Sequence, residues 1–216
     1  MESLKKKRAR ALSIIKTLEG LYGEAQCDLS ACDPLLLLVS TQLAAQCTDE
    51  RVNAVTETLY QKYKCARDFA EADASELENE IRPTGFFRNK ARNIINCCRM
   101  LVEKHGGEVP RTMGELLELP GVGRKTANLV LGDAFGTPGI VVDTHAGRLA
   151  RRMGFTGQTD PEKVEADLAK IVPKDCWIEF GHLMVYHGRA ACTARKALCD
   201  ACAASPDCPK IIDKKL

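Results

Sequence analysis

Two glycines one residue apart behind a proline, Gly121 and Gly123 after Pro120, constrain the fold of this chain more than any other feature, because helical patterns flank them on both sides. Glycine there permits a tight turn and lets the backbone approach a ligand with no side chain in the way. After the pair, Ala127, Val130, Leu131, Ala134 and Phe135 recur at i, i+3, i+4, i+7 and i+8, the apolar face of an amphipathic helix, and Gly136 is placed to end it. Before the pair, Thr112 and Glu115 have capping-box spacing ahead of Leu116, Leu117 and Leu119. Residues from about 112 to 135 therefore read as helix, hairpin, helix.

The same periodicity covers most of the 216 residues. Leu12, Ile15, Leu18 and Leu21 form one stripe ending near Gly23, and Asp33 with Pro34 is an N-cap followed by a first-turn proline. Thr48 and Asp49 open a helix aligned on Val52, Val55 and Leu59, and Ser75 with Glu78 repeats the capping-box spacing before Pro83 and Gly85. The cleanest stripe follows Arg88: Ala91, Ile94, Ile95, Cys98, Leu101 and Val102, closed by Gly106 and Gly107. Asp160 and Pro161 start another helix, on Val164, Leu168 and Ile171, and Pro173 ends it. The one strand candidate, Ile140 to Val142, is too short to carry a sheet, so the expected class is all-α without a solenoid repeat.

A net charge of +2 does not by itself indicate a polyanionic partner, but the basic residues are unevenly placed. Six Lys or Arg lie between Arg82 and Lys104 against the single Glu103, and five lie in the first ten residues against Glu2, where a disordered solvated tail is the simpler expectation. No apolar run has membrane-spanning length, so no membrane partner and a soluble, cytoplasmic protein are expected. Eleven cysteines, an odd number with no signal peptide ahead of them, favour metal binding over disulfides for at least some.

Four of them, Cys192, Cys199, Cys202 and Cys208, follow the spacing C-x6-C-x2-C-x5-C. Thiolates this close in sequence can surround one centre unaided, and thiolate suits both zinc and iron–sulfur chemistry. Arg189, Arg195 and Lys196 add a basic character suited to phosphates. The other seven cysteines are scattered and read as small apolar residues.

The hairpin delivers backbone N–H groups to a helix start, a ready anion site for a DNA phosphate, with Arg124 beside it. Lys125 is badly placed for stability there, since its charge opposes the helix dipole, and the same placement together with desolvation favours a neutral amine able to attack carbon. Otherwise it is a solvated lysine pairing with phosphate. Asp143, before Thr144 and His145, has the position of an N-cap, which also aims a carboxylate rigidly enough to assist the lysine or stabilise positive charge on a sugar.

The sequence LPGVGRKTA, then VDTH with its aspartate eighteen residues after Lys125, then the four-cysteine run resembles the endonuclease III family of DNA glycosylase/AP lyases in the helix-hairpin-helix superfamily, over about Cys27 to Cys208. The resemblance implies a [4Fe-4S] cluster on the four cysteines, Lys125 as nucleophile and Asp143 as its carboxylate partner. It also implies a six-helix domain at 27–137 and a discontinuous cluster domain formed by 1–26 and 138–216. AAQCTD is similar to a family segment that makes Gln46 the candidate to fill the gap left by an extruded base, and PTGFFRNKA to a loop that makes Phe86 the candidate wedge. Without that role, Gln46 would cap or bridge helices and Phe86 would pack on Phe87. Gly121, Gly123, Arg124 and His145 are the remaining expected DNA contacts. The implied activity is excision of oxidised pyrimidines by Schiff-base chemistry, then β-elimination, by a monomer acting on double-stranded DNA that carries a damaged base or abasic site, nucleoid-associated if the source is prokaryotic. A monofunctional mismatch glycosylase and a non-enzymatic, metal-pinned DNA-binding module are the competing possibilities.

Overall fold

The computed structural model describes residues 2–211, and among them eleven α-helices and no strand. They divide into two compact units, one of Cys27–Thr137, the other of the residues up to Gln26 together with those from Pro138 onward.

The continuous unit carries α2 (Pro34–Leu43), α3 (Asp49–Lys62), α4 (Ala66–Ala70), α5 (Ala74–Glu80), α6 (Phe87–His105), α7 (Met113–Glu118) and α8 (Arg124–Phe135), after α1 (Leu4–Tyr22) of the other unit. Asp33 caps α2 by accepting the amides of Leu35 and Leu36, with Pro34 where a missing N–H costs nothing. The α6 stripe buries Ala91, Ile94, Ile95, Cys98 and Leu101 as its spacing predicts, against a core that includes Leu38, Leu43, Phe69 and Val130. Helix α2 packs against α8, which sets the hairpin on this core. Two local expectations change. Helix α5 starts ahead of Ser75 because Asp73 takes the cap, accepting the Glu76 amide at 2.9 Å. Thr112 accepts the Glu115 amide, but its hydroxyl donates to the Glu115 carboxylate, so the reciprocal half of the box is absent.

The discontinuous unit carries α1, α9 (Thr144–Arg152), α10 (Pro161–Ala169) and α11 (Trp177–Ala190). Its core joins Ile14, Ile15 and Leu18 of α1 to Leu149, Leu168, Phe180 and Leu183. The basic N-terminus is not a loose tail: Ser3 caps α1, and Arg8 and Arg10 donate to the carbonyls of Lys170 and Met153, both at 2.6 Å. Ile140 to Val142 form no strand, and the one isolated β-bridge among the described residues joins Cys192 to Ala197. Helix α11 has no clear stripe in the sequence because it is buried almost all round, on Gly181, His182, His187 and Gly188 as well as on apolar residues.

Candidate active site and metal centre

The hairpin turns at Gly121, whose φ of +78° is unfavourable for any side chain, and a Cβ there would also lie 2.9 Å from Gln42 Oε1 and Asn93 Cβ. Gly123 is different. Its φ is ordinary, at −97°, and open space surrounds its Cβ position. As N-cap of α8 it supplies no side-chain acceptor to the first-turn amides. Arg124 is half-buried, and Lys125 is exposed on the second residue of the helix. The desolvation expected of Lys125 is therefore not built into the free chain. Beneath the turn, the buried amide of Gln42 has neither its nitrogen nor its oxygen hydrogen-bonded within the protein.

Gln46 and Phe86, in the same unit, share a conformation that the sequence does not announce: both are left-handed, with φ of 54° and 49°. Gln46 is exposed, and Phe86 is 63% exposed. Phe87 lies instead under the guanidinium groups of Arg82 and Arg88, 5.6 and 5.5 Å from its ring centre.

In the discontinuous unit, Asp143 is the N-cap of α9, its carboxylate accepting the Ala146 amide at 2.7 Å. His145 follows two residues later, with Nδ1 3.1 Å from Arg148 Nη2. Burial holds its pKa below the usual histidine value, aided by Arg148 and Arg189 and opposed by Asp143. The ring lies so close to α11 that a Cβ on Gly188 would sit 2.6 Å from Nδ1. Lys125 and Asp143 thus belong to different units.

The four cysteines line one small, mostly apolar cavity, partly open to solvent, with His187, Leu198 and Ala204 among its walls and no carboxylate. Among the described residues no group of three or more His, Cys, Asp or Glu side chains converges on a point where one ion would be held. A single zinc would draw four sulfurs to about 2.3 Å from its centre. Four soft sulfur donors around a mostly apolar space are a donor set that suits an iron–sulfur group. Arg152, a residue the cysteine spacing does not reveal, holds this loop: Nη1 donates to Thr193 O at 2.7 Å and Cys192 Sγ at 3.3 Å, and Nη2 to Ala194 O at 3.1 Å. Arg148 adds bonds to the carbonyls of Cys192 and Gly188 at 3.0 and 3.1 Å. His187 bridges Tyr22 Oη at 2.9 Å and Cys202 Sγ at 3.4 Å.

A glycine hairpin leading into a helix whose N-cap supplies no side chain, set in an all-helical fold, fits one class of DNA-repair protein, and residues 39–174 match the family described as HhH-GPD superfamily base excision DNA repair protein. Endonuclease III of Synechocystis sp. is 50% identical to this chain over 97% of its length and 96% of the relative's. The solved structure of a trapped endonuclease III–DNA covalent intermediate, an estranged-adenine complex, matches with a TM-score of 0.90 at 41% identity, covering 97% of each chain. A thermostable thymine-DNA glycosylase is similar as well, with a TM-score of 0.86 at 26% identity over 97% of this chain and 98% of that one. The chain belongs to the endonuclease III family of that superfamily.

Proposed function

We propose that this chain is a bifunctional DNA glycosylase/AP lyase of base-excision repair, removing oxidised pyrimidines from duplex DNA and cleaving the strand 3′ to the abasic site. The carrying observation is Lys125: an amine exposed one residue into α8, beside the first-turn amides that follow Gly121 and Gly123. Those amides and Arg124 take a backbone phosphate, which holds the sugar for attack. The neutral Nζ of Lys125 attacks C1′, and the bond from C1′ to the base breaks with its electron pair leaving on the base. Asp143, kept rigid by its cap bond, stabilises the positive charge that develops on the sugar. The attached amine loses one proton, its lone pair then breaks the C1′–O4′ bond, O4′ takes up a proton, and the sugar is left ring-opened as a protonated Schiff base. Its electron withdrawal acidifies C2′, and removal of that proton expels the 3′ phosphate oxygen. Gln46 fills the space left by the extruded nucleotide, Phe86 presses against the opposite base, and His145 contacts the DNA near Asp143.

The two units correspond in this reading to a helix-hairpin-helix domain at 27–137 and a cluster domain formed by 1–26 with 138–216. Cys192, Cys199, Cys202 and Cys208 hold a [4Fe-4S] cluster, which fixes the loop and supplies no step of the excision. A monomer acting at the nucleoid or elsewhere in the cytoplasm fits this role, and among the described residues no helix is long and apolar enough to cross a membrane.

Borohydride trapping on an abasic duplex tests the assignment. The wild-type chain forms a covalent adduct and nicks the strand, whereas Lys125→Ala forms none and nicks at least about 10³-fold more slowly. An undiminished adduct in that variant overturns it. The likeness to a thymine-DNA glycosylase favours one second reading, excision of mismatched thymine without strand cleavage. That enzyme would release thymine and leave an intact abasic strand with no trapped adduct.

A further inference from the structure

Lys90 sits one turn into α6 and is only 5% exposed, yet neither acceptor of its Nζ is a carboxylate. It donates to Leu43 O at 2.7 Å and to Thr84 O at 2.8 Å. Leu43 ends α2, and its carbonyl is among those a helix leaves without a partner of its own. Three residues later comes Gln46. Thr84 ends a 3-10 turn, and two residues later comes Phe86. Among the described residues three non-glycine positions have positive φ, Gln46, Phe86 and Lys210, so one ammonium ties down the approach to two of the three.

We infer that Lys90 is a positioning residue that fixes the segments carrying Gln46 and Phe86 on one buried donor, so that both hold their left-handed conformations against stacked DNA. The inference rests on the proposed roles of Gln46 and Phe86. Filling the space does not require a lysine: methionine has comparable length and gives up no hydration on burial. What lysine adds is a donor able to satisfy carbonyls from two loops at once. Unfavourable backbone at exposed positions persists only where the surroundings over-determine it, and here one carbonyl bond lies three residues before Gln46 and the other two residues before Phe86. A wedge on an untethered loop would yield to the base stack instead of parting it.

The test compares single-turnover excision of thymine glycol from a fully paired duplex and from the same sequence with the lesion in a three-nucleotide unpaired bubble, where no stack has to be opened. Both duplexes are read on one preparation of the full chain, so the ratio of the two rates does not depend on the fraction folded. Lys90→Met is expected to lose at least about tenfold on the paired duplex and less than about threefold in the bubble, and Lys90→Arg, which keeps the donors, to recover most of the ratio. Equal loss by Lys90→Met on both duplexes marks a merely structural lysine and overturns the proposal, as does a ratio in Lys90→Arg no better than in the methionine variant. Gln46→Ala and Phe86→Ala are run on the same pair. If neither shifts the ratio, the wedge roles themselves fail; if both do while Lys90→Met does not, only the role of Lys90 fails.

Discussion

In the continuous unit the proposed contacts Gln46, Phe86, Gly121 and Gly123 lie on brief interruptions between helices while Arg124 and Lys125 open α8, and the helices supply their own order through caps and apolar stripes buried in one core. In the discontinuous unit the segment 191–211 holds no regular structure beyond the 3-10 turn Cys199–Ala201 and one bridge, and Ala204 is its only buried apolar residue. Its backbone is held by guanidinium groups reaching from α9 and, in the proposed reading, by a cluster on the four sulfurs. One unit is shaped by apolar burial and the other, at its C-terminal end, by charge-assisted hydrogen bonds together with the proposed ligation. The same hydrophobic pattern that specifies a hairpin cannot specify a loop with almost nothing to bury.

This contrast can be broken most severely at the sulfurs. Cys202→Ser, or removal of iron from the holoprotein, is expected to strip hydrogen-exchange protection from the amides of 192–209 while leaving those of α2, α6 and α8 within about threefold of wild type. Comparable loss in both units would show that the cysteine loop is no separate element of stability.

A pair of glycines sharpens the contrast at the next magnitude. Gly188→Ala drives a methyl group to 2.6 Å from His145 Nδ1 and 2.9 Å from its Cβ, on packed helices with little room to give. Gly121→Ala combines a 2.9 Å approach to Asn93 Cβ with a positive φ. Each should cost about 1–3 kcal/mol in chemical denaturation. Gly123→Ala, by contrast, meets open space and should change stability by less than about 1 kcal/mol while weakening DNA binding, because the methyl group stands where a phosphate approaches. Unchanged DNA affinity in Gly123→Ala would remove the hairpin from the DNA contact.

Arg152→Lys keeps the charge but replaces a planar fork by a single ammonium, and should loosen the loop by about 1–2 kcal/mol without shifting the transition of the continuous unit. Thermal melts followed at cluster absorption and by far-ultraviolet circular dichroism would separate the two effects.

The smallest expected effect is acid sensitivity. Amides of Lys64 and Cys65 hold the Asp68 pKa below its ordinary value, and in the other unit bonds from Lys170 and Thr156 do the same for Asp167. Because the folded values are the lower ones, these contributions are complete above an ordinary Asp value of about 3.9 and vanish as pH falls through the folded value. Asp68→Asn should therefore flatten the acid limb of the stability profile slightly. A limb as steep as that of the wild type would show that other carboxylates account for it.

Much of this contrast was legible in the sequence, for identifiable reasons. The stripes of α6 and α8 follow from periodicity, Asp33, Thr48, Asp143 and Asp160 as caps from their place before a helical run, and the cysteine loop from spacing alone. Lys90 escaped notice because a lysine inside a basic run reads as solvated surface, and only tertiary structure reveals the carbonyls that receive it. Arg148 and Arg152 escaped because their acceptors are backbone atoms some forty residues away, which carry no residue signature. Asp73 displaced Ser75 as a cap because both residues are strong formers and local sequence does not rank them. Helix α11 lacked a stripe because burial on nearly every side erases the period that marks a surface helix.

The discontinuity of the second unit also has a consequence in time. Tyr22 of α1 meets His187 of α11 across 165 residues of chain. During synthesis at ordinary rates, α11 emerges on the order of ten seconds after α1. Throughout that interval Ala11, Ile14, Ile15 and Leu18 have been made but Phe180, Leu183 and Met184 of the same core have not, while the whole of 27–137 can already collapse on its own core. The nascent chain is therefore expected to fold from its middle outward, its first helix waiting in the reach of chaperones until the last one arrives.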